Sequence, residues 1–288
     1  TTDTSDNMAN EEILNNTGKT LAERFRALFT LRTQGGDAAI RAISQCLLEE
    51  SSALLKHECA YCLGQMQDST ALPVLKRVLS NVNEEPMVRH EAGEALGAIG
   101  DASAIPFLSK YLNDDSPAVA ETCALAVERL QWLSDKDCGR FRDNNPYLSV
   151  DPAPPTNNGS VKEWEEQLNN RSLSLFLRYR ALFALRNKGG VDAIKALTTG
   201  FKDESALFKH EIAYVLGQMQ DPAAIEALKQ VLEDTSQCPM VRHECAEALG
   251  SIATKECLQV LTEYCEDPER IVSESCYVAL DMYQNEHN

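Results

Sequence analysis

The chain has 288 residues, 43% hydrophobic and 25% charged, which is enough apolar material for a large buried core. Its formal net charge is −17 and its pI is near 4.7. That argues against nucleic acid, whose binders need a basic face, and no apolar run is long enough to cross a membrane.

In chain order, residues 1–20 read as a polar, acidic N-terminal tail with no signal-peptide character. Residues 21–133 follow as a first half built of helical hairpins. RFRALFTLR at 24–32 opens it, Gly35-Gly36 breaks it, and KHECAYCLGQMQ at 56–67 and PMVRHEAGEALG at 86–97 continue it. Gly100-Asp101 and Asp114-Asp115-Ser-Pro117 mark later turns. Pro86, Pro117 and Pro239 suit the first turn of a helix, where a missing amide hydrogen costs nothing. Residues 134–171 carry Pro146, Pro152, Pro154, Pro155 and Asn157-Asn-Gly159, and read as a long linker.

The second half, 172–284, repeats the first. RYRALFALR at 178–186 restates residues 24–32 at an offset of 154, while KHEIAYVLGQMQ at 209–220 and PMVRHECAEALG at 239–250 restate their counterparts at 153. Within each half His57 to His90, and His210 to His243, span 33 residues. Apolar positions at helical spacing in units of this length predict an all-α, HEAT-type repeat fold. About eight helical hairpins form two pseudo-symmetric halves joined by the linker, which lets the halves face each other.

Cys59 and Cys62 form a CxxC, but Ile212 and Val215 occupy the matching places, so these thiols read as core. Reduced, buried cysteines point to the cytoplasm, with the nucleus as the alternative.

Four of the five histidines are followed by glutamate: His57-Glu58, His90-Glu91, His210-Glu211 and His243-Glu244. On a helical wheel each pair lies away from the apolar face of its repeat, so stacking sets neighbouring pairs side by side on one surface. A single His-Glu is an ordinary solvated dipeptide, but four in register with the repeat are not. Two histidines and a carboxylate per half make the donor set of non-haem Fe(II) oxygenases, although spacing alone leaves manganese and zinc open. No cysteine joins the stripe and no HExxH is present, which disfavours structural zinc and zincin chemistry. Arg89 and Arg242 read as packing residues.

Taken together, these four motifs resemble the deoxyhypusine hydroxylase family. The resemblance implies a monooxygenase that hydroxylates the deoxyhypusine side chain of the hypusine-containing translation initiation factor, using O2 and an electron donor. It implies two Fe ions, reactive with O2 as Fe2+. His57, His90 and Glu91 would hold one, and His210, His243 and Glu244 the other. Glu58 and Glu211 would bind the cationic substrate arm. On the helical wheel Tyr61, Tyr214, Met87 and Met240 fall on or near the ligand-bearing faces, as candidates to support the ligands, with plain packing the alternative for the methionines. A non-enzymatic HEAT-repeat scaffold and a binuclear metallohydrolase are the competing readings.

Overall fold

The computed structural model describes residues 4–135 and 145–287. The chain forms two compact units, Thr1–Cys138 and Gly139–Asn288. Among the described residues there are sixteen α-helices and no strand, and no helix is long and apolar enough to cross a membrane.

In the first unit the hairpins are α1 (Thr4–Asn15) with α2 (Leu21–Gln34), α3 (Gly36–Glu49) with α4 (Ala53–Met66), α5 (Leu72–Ser80) with α6 (Pro86–Ile99), and α7 (Ile105–Leu108) with α8 (Pro117–Ser134). The second unit repeats them as α9 (Val161–Asn169) with α10 (Leu175–Lys188), α11 (Val191–Thr198) with α12 (Ala206–Met219), α13 (Ile225–Glu233) with α14 (Pro239–Ile252), and α15 (Lys255–Tyr264) with α16 (Arg270–Glu286). Pro86, Pro117 and Pro239 each open their helix as expected. Elsewhere polar side chains close the free amides: Thr20 and Ser160 form capping boxes with Glu23 and Glu163, and Ser52, Ser174 and Ser205 cap α4, α10 and α12.

Two boundary expectations change. The polar tail of residues 1–20 contains α1, whose Leu14 is wholly buried, so it is the first helix of a hairpin. The linker of 134–171 contains α9, which packs on α10 and α11 and buries Leu168. Its residues 136–144 lie outside the described residues. The mostly polar α1 escapes a periodicity reading, and the short apolar stripe of α9 (Val161, Trp164 and Leu168) is masked by the prolines before it.

A buried arginine ties the successive hairpins together. Arg24, Arg89, Arg178 and Arg242 each donate from Nε to a carbonyl ten residues earlier, those of Leu14, Leu79, Leu168 and Leu232, at 2.8–2.9 Å. Their guanidinium groups then reach the loop of the next repeat, pairing with Glu50, Asp114, Asp203 and Asp267. Each of these carboxylates also accepts a backbone N–H two residues on. One side chain thus fixes a hairpin's two helices and its successor, which bears out the packing role read for Arg89 and Arg242.

The second helices of neighbouring hairpins approach closely, and glycine permits it. A Cβ on Gly64 would come within 2.7 Å of the Ala95 Cα, and one on Gly97 within 2.8 Å of the Ala126 Cβ. In the second unit Gly217 and Gly250 meet Ala248 and Ala279 at 3.0 and 2.6 Å on the same construction. Each glycine lies two turns beyond a His-Glu histidine, so the same close packing fixes the spacing between histidines.

Candidate metal centre

Each of the four histidines is the fifth residue of its helix, and each following glutamate the sixth, on α4, α6, α12 and α14. Matching helix starts and close packing therefore set the imidazoles of neighbouring repeats level. The ring centroids of His57 and His90 are 5.5 Å apart, and those of His210 and His243 are also 5.5 Å apart. The second glutamate of each half reaches across to the first histidine. Glu91 Oε2 is 3.0 Å from His57 Nε2, and Glu244 Oε2 is 3.1 Å from His210 Nε2. The His–His and His–Glu distances thus match between the two units.

The wheel expectation of a surface stripe is corrected in one respect. All eight residues are buried, from 0% exposure for His90 and His243 to 8% for Glu58. Burial pushes the His57 imidazole down to about 4, against the opposing pull of the Glu58 carboxylate. The ring is therefore neutral at neutral pH, the form in which imidazole binds a metal.

In the second unit, one ligand atom each from His210, His243 and Glu244 lie within 4.8 Å of one another, as do atoms of His90, Glu91 and Glu94 in the first. Both groups offer only imidazole nitrogen and carboxylate oxygen, which suits a divalent transition metal and needs no thiolate. Carboxylates gathered beside imidazoles in a buried place favour a cation that balances their charge. The donor set fits iron as the resemblance implies.

Four residues near these histidines were not singled out as site residues in the sequence. On α8, Thr122 Oγ1 lies 3.5 Å from His90 Nδ1, and on α16 Ser275 Oγ lies 3.4 Å from His243 Nδ1. Glu247 Oε1 is 3.5 Å from the same His243 nitrogen, and Glu94 is its counterpart in the first unit. A polar partner at Nδ1 holds the ring orientation. The signal was present: Glu121-Thr-Cys123 and Glu274-Ser-Cys276 recur at the same 153-residue offset as the histidines.

The remaining expected residues fall nearby on the same helices. Glu58 and Glu211 are buried beside the first histidine of each half. Tyr61, Tyr214 and Met87 are half-buried, Met240 is buried, and the Tyr214 hydroxyl accepts a bond from Gln218 Nε2 at 3.2 Å. Lys56 pairs with Glu84, and Lys209 donates to Gln237 at 2.7 Å, so both are committed to the next loop. Cys59 and Cys62 are buried with thiols pushed up by desolvation, as core thiols are.

Fold and site together define a HEAT-repeat protein whose two units each bury histidines and glutamates that could hold a metal ion. HEAT repeats match residues 40–128 and 163–237, and a PBS lyase HEAT-like repeat matches 241–267. The chain is 54% identical to human deoxyhypusine hydroxylase, over 97% of this chain and 94% of that protein. It is 55% identical to the zebrafish (Danio rerio) protein of the same name and 53% to that of Drosophila melanogaster, each over 96% of this chain and 91% of the relative. A solved structure of human deoxyhypusine hydroxylase in complex with glycerol superimposes with a TM-score of 0.94 at 54% identity, covering 98% of this chain and 96% of that one. The chain belongs to the deoxyhypusine hydroxylase family.

Proposed function

We propose that this chain hydroxylates the deoxyhypusine side chain of the hypusine-containing translation initiation factor, completing hypusine formation in the cytoplasm with O2 and an electron donor. The observation that carries the reading is the matching His–His and His–Glu distances of the buried pairs in both units, in a member of this family. His57, His90 and Glu91 would hold one iron, and His210, His243 and Glu244 the other. Iron, when bound, would supply the activation of O2 and the electron donor the reducing electrons; the chain supplies binding and orientation.

Its contribution begins with the ring orientation of His90 and His243, set through Thr122 and Ser275. The neutral His57 imidazole can offer a nitrogen to a metal without first losing a proton. Glu58 and Glu211 accept charge-assisted hydrogen bonds from the amines of the substrate arm, which are strong where water is scarce. Two anchored amines fix the carbon between them, so hydroxylation occurs at one position. The commitment of Lys56 and Lys209 to loop residues counts against a phosphate-ester hydrolase, which would use cations on this face.

The direct test incubates iron-loaded, reduced protein with the deoxyhypusine-bearing factor under O2. The side chain should gain the mass of one oxygen atom, and an unchanged substrate mass would exclude the reading. The division of roles has its own test. Glu58→Gln and Glu211→Gln should retain their metal and raise the substrate KM by about tenfold or more, the loss expected for one charge-assisted contact. If they lose metal as readily as Glu91→Gln, these two carboxylates are ligands rather than substrate contacts.

A further inference from the structure

Residues 145–156 of the second unit carry no helix, yet their first half is firmly held. Asn145 closes a turn. Its Nδ2 donates to the Ser149 carbonyl at 2.7 Å and to Asp151 Oδ2 at 3.1 Å, and its Oδ1 accepts the Tyr147 N–H at 2.8 Å. Arg186 on α10, wholly buried, donates to both oxygens of Asp151, at 2.9 and 2.6 Å. Its guanidinium lies 5.0 Å from the centre of the Tyr147 ring. Ser149 Oγ accepts from Gln218 Nε2 on α12 at 3.0 Å. The turn is thus anchored on both sides of Leu148.

Leu148 itself is 91% exposed, more than any other large hydrophobic side chain among the described residues. Its φ is 59°, in the left-handed region, where a Cβ is strained and glycine is not. An exposed leucine alone is ordinary. One that also strains its backbone, with its side chain in water, gains nothing from the fold in return. Glycine or asparagine would make the same turn at less cost. What the leucine supplies is aimed outward, as an apolar knob on a turn that is already formed.

The knob stands beside the second donor set. The Gln218 amide that holds Ser149 also donates to the Tyr214 hydroxyl at 3.2 Å. Tyr214 lies three residues after Glu211 on α12, so the two share a helix face. Glu211 is 3% exposed. For a cationic arm carried by a protein to reach that carboxylate, the backbone on either side of the arm must come against the rim. Through Gln218 and Tyr214, the turn at 145–151 borders that face.

We propose that Leu148 docks the protein substrate, packing against apolar groups that flank the deoxyhypusine residue as its arm enters toward Glu211. The substrate as partner rests on the function proposed above. Because the turn is preformed, little freedom is lost when the leucine is covered.

Leu148→Asn separates docking from folding, since asparagine tolerates the left-handed region and is polar. The full, metal-loaded variant should unfold in urea at or above the wild-type midpoint. Without O2, its affinity for the fluorescently labelled, deoxyhypusine-bearing factor should fall about tenfold or more by anisotropy, the loss expected when one leucine is no longer buried. Leu148→Met should bind as the wild type does. Equal binding by Leu148→Asn and a wild type that hydroxylates the factor overturns the docking contact alone. A lower urea midpoint in Leu148→Asn would show that the leucine serves the fold, and overturns it too. A wild-type dimer that Leu148→Asn dissolves would give the leucine to a second copy of the chain and overturn the substrate as its partner. Factor bound through Leu148 but never hydroxylated would sink the proposed activity and leave the contact standing. A wild type that neither binds nor hydroxylates the factor overturns both.

Discussion

Replacing His243 by alanine is expected to empty the second donor set of metal and abolish hydroxylation, while the chain stays folded. His243 is wholly buried on α14, level with His210 and on the same helix as Glu244. Losing it leaves one imidazole and one carboxylate, too few to hold an iron open to O2. The metal affinity of that set should fall by more than the 10–100-fold typical of removing an outer hydrogen-bond partner. Ser275→Ala provides that smaller step, because it removes only the hydroxyl 3.4 Å from His243 Nδ1. The two variants should therefore rank in metal affinity, with Ser275→Ala between the wild type and His243→Ala. Metal analysis after dialysis against a graded chelator reads the order, and equal affinities for wild type and Ser275→Ala would show that the hydroxyl does not orient the ring.

The largest effect on stability is expected at the arginine clamps. Arg242→Ala strands Asp267, whose side chain is 4% exposed, and removes the bond to the Leu232 carbonyl. Breaking a buried pair from one side costs about 3–5 kcal/mol, and urea unfolding should show a loss of that size. Arg242→Ala paired with Asp267→Leu should recover part of it, because no uncompensated charge is left. Recovery of nothing would place the cost in the lost carbonyl bond instead. These clamps also set the acid limit of the fold. The Arg89 guanidinium holds the Asp114 carboxyl below its ordinary 3.8. A carboxylate whose folded pKa is depressed contributes stability above its unfolded value, and that contribution disappears as pH falls through the folded one. Unfolding midpoints should thus drop as pH goes below about 3.8, and less so in an Asp114→Asn chain.

The hairpins were legible in the sequence because duplication wrote each twice, at offsets of 153 and 154, with prolines marking three helix starts. The ligand candidates were legible for the same reason: His57, His90, His210 and His243 keep one place in four repeats. Helices α1 and α9 were not. Thr4–Asn15 is mostly polar, and the Val161, Trp164 and Leu168 stripe of the nine-residue Val161–Asn169 is short and follows a proline-rich stretch, so neither stood out as a helix. Prolines made residues 145–156 look like slack chain, whereas Asp151 anchors them to an arginine 35 residues away. Thr122 and Ser275 sit 32 residues from the histidines they touch, on a different helix. A helical wheel tells which face a residue occupies but not what the next helix brings against it. The burial of the His-Glu pairs is likewise a tertiary result, because the wheel placed them only opposite the packed seam.

The central claim is that these two donor sets hold iron. Metal analysis of purified protein, reconstituted under anaerobic conditions, tests it most directly. The wild type should carry about two irons per chain, one for each His-His-carboxylate set, and Glu244→Ala should carry half as much. Zinc alone without hydroxylation after iron loading, or an iron content indifferent to Glu244, would contradict the account.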